Sequence, residues 1–198
     1  LDHQLTAIAQ AARESKADVW VMAPMIATAD EAEQFVADVH GHGLPVAGVM
    51  IEIPAAALSA DDVLRHAAFA SIGTNDLTQY TMAADRLLGS LAALNDPWQP
   101  AVLRLIQLTG AAGARAGRPI GVCGEAAADP ALAVVLVGLG VGSLSMTPRA
   151  IPDVADVLRT VPQEECVRLA GLAAAAPTAA AARAAVRAEL PILGKLGL

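Results

Sequence analysis

The chain has 198 residues, of which 55% are hydrophobic and only 3% aromatic; this is enough to bury one sizeable core made from Ala, Val, Leu and Ile rather than rings, and one domain is expected. A formal net charge of −7, with no run of Lys and Arg, argues against a nucleic-acid surface, and an anionic substrate would need local cations. Cys123 and Cys166 lie far apart without CxxC spacing, which points to neither a disulfide scaffold nor a zinc knuckle and fits a reducing cytoplasm; with no basic-then-apolar leader, and apolar runs such as 131–139 too short for a bilayer, a soluble protein with no membrane partner is expected.

In chain order, short apolar or β-branched runs alternate with longer helical ones, the pattern of a parallel sheet with crossover helices. Residues 19–25 read as a first strand. Thr28 and Glu31 then form a capping box, opening a helix that places Ala32, Phe35, Val36 and Val39 on one face and stops at Gly41 or Gly43. Residues 46–53 form a second strand and 59–66 a short helix. A third strand at 69–73 is followed by a long helix at 100–116, a fourth strand at 120–123, a helix at 130–137 and a fifth strand at 143–146. From Ile151 onward no strand is expected, and the Ala-rich stretch 179–190 reads as terminal helix of high intrinsic propensity. Units of about 30 residues thus account for residues 1–150, with 151–198 as helices packed on the same domain. A closed eight-stranded barrel typically needs about 250 residues, more than this chain supplies.

In parallel α/β architectures, chemistry sits beyond the carboxyl ends of the strands. Glu52 closes the second strand, Asn75 and Asp76 close the third, and Cys123, Gly124 and Glu125 close the fourth. Two carboxylates converging from adjacent strands repel each other unless a cation sits between them, and magnesium is the economical choice, since one or two carboxylates commonly hold it. The plainer readings are a turn-forming Asn-Asp pair and a salt-bridged Glu. Arg86 could reach back over the rim to a phosphate or carboxylate, or pair with Asp85. Cys123 is either a small buried hydrophobe or, given its flanking glycines, a thiol facing a ligand, where a protonated thiol donates a proton and a depressed one attacks. His40 and His42 are either metal ligands or residues favoured at a helix stop. The glycines of "GAAGARAG" follow a helix rather than a strand and make no phosphate loop, and Cys166 reads as packing.

The stretches "GVMIEIPAAAL", "SIGTNDLTQYTMAADR" and "VCGEAAADP" together resemble the phosphoenolpyruvate-binding domain of the enzyme I family, the phosphoenolpyruvate-protein phosphotransferases of the bacterial sugar phosphotransferase system. "VMAPMI" and "SLSMTPRAIP" are similar to flanking strands of the same domain. Pyruvate phosphate dikinase and phosphoenolpyruvate synthase share the "GTND" and "CG" strand ends, but "QYTMAADR" and "CGEAAADP" look closer to enzyme I. The resemblance implies the last five strands of a (β/α)8 TIM-type barrel with a helical C-terminal tail. It implies Glu52 and Asp76 as magnesium ligands, Asn75 and Arg86 as contacts to the substrate phosphate, and Cys123 as the acid that protonates the enolate of pyruvate. The partners it implies are phosphoenolpyruvate, a histidine-containing phosphocarrier protein and a second copy of the chain. The family's phosphohistidine portion and its first three barrel strands, with their arginines, have no counterpart here, so the chain alone is expected to associate and not to transfer phosphate. Two other readings stand beside it: a non-catalytic dimerisation or regulatory module, and a magnesium-dependent lyase of a related barrel.

Overall fold

A computed structural model describes all 198 residues. Five strands form one sheet: β1 (Trp20–Ala23), β2 (Val46–Ile51), β3 (Ala70–Gly73), β4 (Ile120–Cys123) and β5 (Ser143–Ser145). They lie in the order β1-β2-β3-β4-β5 with every neighbouring pair parallel. Because the order never reverses and parallel crossovers keep one hand, the connecting helices fall on one side of the sheet. The result is an α/β chain built like an arc of a barrel wall.

Eleven helices accompany the sheet: α1 (Asp2–Glu14), α2 (Ala29–Gly41), α3 (Pro54–Leu58), α4 (Ala60–His66), α5 (Thr74–Met82), α6 (Pro100–Ala116), α7 (Pro130–Gly138), α8 (Ile151–Leu158), α9 (Gln163–Ala175), α10 (Ala179–Ala188) and α11 (Pro191–Leu196). The start of α2 is set as its sequence requires. Thr28 Oγ1 accepts from the Glu31 amide, and Glu31 Oε2 accepts from the amides of Thr28 and Ala27, which satisfies donors that a helix start otherwise leaves free. Those backbone hydrogen bonds hold the Glu31 carboxyl below its ordinary range.

The register separates the two faces of the sheet. Val49, Ala70, Ile120 and, one step on, Ile51, Ile72, Val122 stand level with one another, and all are buried against the helices. The alternate residues, Trp20, Met22, Met50, Ser71, Gly121, Cys123, Ser143 and Ser145, line the opposite face, as the two-residue period of a strand dictates. There Trp20 is 56% exposed, with Met22 and Met25 also open to solvent. Helix α7 is apolar on every side, and residues 131–136 within it are fully buried; a helix of that kind must be covered all round. Helix α9 covers it with Cys166, Leu169, Ala170 and Ala173, and one continuous core runs from Leu5 to Leu193.

Three expectations are corrected. The first strand stops at Ala23, because Met25 adopts a left-handed backbone with φ 58°. The second stops at Ile51: Pro54 has no N–H to give a ladder but fits the first turn of a helix, and α3 starts there. Asn75 and Asp76 do not extend the third strand; they lie in the first turn of α5, a helix the sequence reading passed over. Helix α1 was also not anticipated.

Candidate active site

Parallel pairing brings the carboxyl ends of all five strands to one rim, and the polar groups sit there. Glu52 follows β2 directly and is only 4% exposed. Its Oε1 accepts a 2.8 Å hydrogen bond from the amide of Met25. The left-handed backbone of Met25, which costs a non-glycine residue roughly 1–3 kcal/mol, presents that amide to the carboxylate. On the other side the carboxylate lies over Gly73, where an added Cβ would collide with Oε2. No Lys, Arg or His pairs with Glu52. A buried carboxylate normally has such a partner.

Asn75 and Asp76 project from the start of α5, where a helix favours negative charge. Asp76 Oδ2 lies 3.7 Å from Nη1 of Arg86, a loose pair that leaves the guanidinium half exposed. The Arg86 amide is fixed by Gln79 Oε1 at 3.0 Å. Asp85 does not hold Arg86; it accepts instead from the Leu87 amide. Between β3 and β4, Thr74 Oγ1 donates to the Cys123 carbonyl at 2.9 Å, and Thr78 Oγ1 donates to the Thr74 carbonyl at 2.7 Å. Cys123, half-buried at the end of β4, directs its thiol at the Ile72 carbonyl, 3.5 Å away. Gly124 then turns with φ 99°, and a side chain there would press on Thr74 Oγ1 and Asn75 Oδ1. The Asn75 amide oxygen in turn accepts a long 3.5 Å bond from the Glu125 amide. Beside these residues an open cleft of about 550 Å³ is lined by Asn75, Gly124, Glu125, Ser145, Met146 and Thr147.

Thus Asn75 meets the Cys123-Gly124-Glu125 turn, Asp76 meets Arg86, and Glu52 packs on Gly73, three residues before Asp76. No group of three or more His, Cys, Asp or Glu side chains gathers in the molecule. A two-carboxylate set is one that magnesium accepts, with water and substrate oxygens completing the shell, and the unpaired Glu52 carboxylate fits a cation. Calcium or zinc would demand more protein ligands. His42 lies elsewhere: its Nδ1 is 2.7 Å from the Asp38 carbonyl and its Nε2 3.0 Å from Asp2 Oδ1, tying α2 to α1. Cys166 is buried in α9, and burial pushes its thiol upward. Thr74, Gln79 and the Met25 amide escaped the sequence reading; only the Thr of "GTND" carried a signal there, since the other two act through chain folding.

A one-way parallel sheet with carboxylates, an amide, a guanidinium and a thiol at its carboxyl rim defines an α/β chain of partial-barrel type with its polar groups gathered at the strand ends. The chain belongs to the family of PEP-utilising enzymes: residues 1–162 match the family described as "PEP-utilising enzyme, PEP-binding domain". It is 48% identical over 197 residues to a phosphoenolpyruvate-protein phosphotransferase of Streptomyces coelicolor, covering 96% of this chain and 35% of that protein. It is 46% identical to a multiphosphoryl transfer protein of Xanthomonas campestris pv. campestris, over 80% of this chain and 20% of the relative. A phosphoenolpyruvate-protein phosphotransferase of Geobacillus stearothermophilus is 42% identical, over 75% of this chain and 28% of its own length. The chain therefore spans about a third or less of these relatives, and residues 52–125 of the candidate site all lie within the family match.

Proposed function

We propose that this chain supplies the phosphoenolpyruvate and magnesium site of a phosphoenolpyruvate-protein phosphotransferase. The observation that carries the reading is Glu52: a carboxylate 4% exposed, bonded to one amide and paired with no cation, at a rim that also carries Asp76 at the start of α5 and Arg86 in the loop after it. Glu52 and Asp76 would hold the magnesium, which when bound supplies positive charge to phosphoryl and carboxylate oxygens. Asn75 and Arg86 orient the phosphoryl group, the guanidinium offering the paired donors that phosphate oxygens accept. As the bridging P–O bond breaks, its electron pair stays with the enol oxygen, and the thiol of Cys123 gives its proton to the methylene carbon, releasing pyruvate and leaving a thiolate. The phosphoryl group passes to a histidine nitrogen of a protein acceptor, a histidine-containing phosphocarrier lying downstream. Clamping and in-line alignment dominate such transfers, so the 198 residues bind substrate without completing the transfer by themselves. Residues 1–150 form the partial barrel and 151–198 its helical cover within one domain, in a cytoplasmic homo-oligomer.

Manganese titration followed by electron paramagnetic resonance tests the reading. We expect metal binding by the chain, a loss of about tenfold or more for Glu52→Gln and for Asp76→Asn, and phosphoenolpyruvate binding that depends on the metal. Unchanged metal affinity in the double variant would remove the shared site.

A further inference from the structure

We infer that Arg183, in helix α10 of the C-terminal tail, is a positioning residue for the rim, acting through Asp96, Trp98 and Asp129. The inference deepens the reading above and rests on it for its substrate. Nη2 of Arg183 donates to both carboxylate oxygens of Asp96 at 2.9 Å. The same guanidinium lies 5.8 Å from the centroid of the Trp98 ring, within cation–π range. Asp96 Oδ1 also accepts from the Trp98 amide at 3.0 Å. Trp98 is fully buried, and its indole N–H donates to Asp129 Oδ2 at 2.9 Å. The other oxygen of Asp129 caps α7, accepting from the amides of Ala131 and Leu132.

This relay ends beside the site at two points. Asp129 closes the short turn Glu125–Ala128 that follows Cys123 and Gly124. Asp96 closes the loop that leaves Arg86, whose near end is held to α5 by the bond from the Arg86 amide to Gln79 and by the loose Arg86–Asp76 pair, and otherwise by a local turn on Asp85. Residues 87–95 carry exposed Leu87, Leu88 and Leu94 and contribute little to the core, so their far end needs a fixed anchor if the Arg86 guanidinium is to keep its place. Asp96 and Trp98 supply that anchor, and Arg183 neutralises the Asp96 carboxylate and shields the indole. Helix α10 lies beyond the residues matched to the family domain, so the tail reaches back to fix a rim that the domain itself carries.

Amide hydrogen exchange on the folded chain, without ligand, tests the link. Arg183→Met should speed exchange in residues 87–95 and 125–128 by about tenfold while leaving strand amides at 49–51 and 70–72 as they were. Arg183→Lys, which keeps the charge but not the planar fork, should restore part of the protection, and Asp96→Asn should reproduce the Met variant from the other end. In the presence of manganese, phosphoenolpyruvate affinity should fall about tenfold in Arg183→Met with metal affinity alone unchanged. Unaltered exchange in the two segments, a rise spread evenly over the whole chain, or faster exchange with full phosphoenolpyruvate affinity would each overturn the inference. Should the unaltered chain bind no phosphoenolpyruvate with manganese, the proposed function fails, and exchange alone decides for or against Arg183.

Discussion

Placing a methyl group on Gly73 probes the tightest contact of the site. In Gly73→Ala the new Cβ would run into Oε2 of Glu52 and come within 3.1 Å of both Glu52 Cβ and Met50 Cε. Glu52 does not yield freely, being buried and tied to the Met25 amide, whereas Met50 Cε is the tip of a flexible side chain and can shift. Overpacking of this kind costs about 1–3 kcal/mol, which for a chain of this size lowers the melting temperature by roughly 2–4 °C per kcal/mol. Thermal unfolding followed by far-ultraviolet circular dichroism measures it. The clash is with the carboxylate, so Glu52→Ala in the same chain should make the methyl cheaper to accommodate. Glu52→Ala alone leaves the Met25 amide without its acceptor, at about 1–3 kcal/mol. The double variant should then be more stable than the sum of the single ones by about 1 kcal/mol. Recovery stays incomplete because alanine keeps the Cβ at position 52, which the new methyl group approaches to 3.1 Å. Additive losses, agreeing within about 0.5 kcal/mol, would refute the argument that Gly73 is there to seat the Glu52 carboxylate.

A thiol reagent at neutral pH should label Cys123 faster than Cys166, since Cys123 is half-buried at the rim while Cys166 is 2% exposed and its thiol is pushed upward by burial; peptide mapping reads the order, and equal rates would count against a rim-facing thiol. His42 is raised above 6.5, chiefly by the Asp38 carbonyl and also by Asp2. Its contribution to stability is therefore complete below that value and disappears as pH climbs through the higher folded value; His42→Gln should flatten this part of the urea-midpoint profile, and an unchanged slope would rule it out. Glu31, lowered mainly by the amides of Ala27 and Thr28, contributes above its unfolded value and loses that contribution as pH falls through the depressed one. Glu31→Ala should remove the corresponding acid-side slope. Light scattering at micromolar concentration should find a dimer or larger species, because β1 and β5 each have a free edge and Trp20, Met22 and Met25 stand exposed on the uncovered face; a stable monomer would contradict it.

Local chemistry was enough to place all five strands, the capping box of α2, the helix after Pro100 and the tail's helical character, because strand and helix periods are written in neighbouring residues. It was also enough to single out Glu52, Asn75, Asp76, Arg86 and Cys123, since polar groups interrupting apolar runs are conspicuous one at a time. Where each run ends was not legible. An apolar stretch from Val46 to Ile53 reads the same whether its last residues continue a strand or enter a helix; Pro54 favours a helix start, but the end of β2 at Ile51 and the left-handed turn at Met25 are fixed only in the folded chain. Nor does the chain order of residues 25, 52 and 73 say that an amide, a carboxylate and a bare Cα will stack; parallel register alone brings them level. Arg183 is 87 residues from Asp96, and no periodicity spans that distance. Its place over Trp98 exists because α9 must cover an all-apolar α7, and α10 follows it onto the same surface. Sequence determined which segments bury and which groups are available to react, because those depend on each residue's own chemistry; tertiary structure decided which of those groups meet, because contact depends on how distant segments share one core.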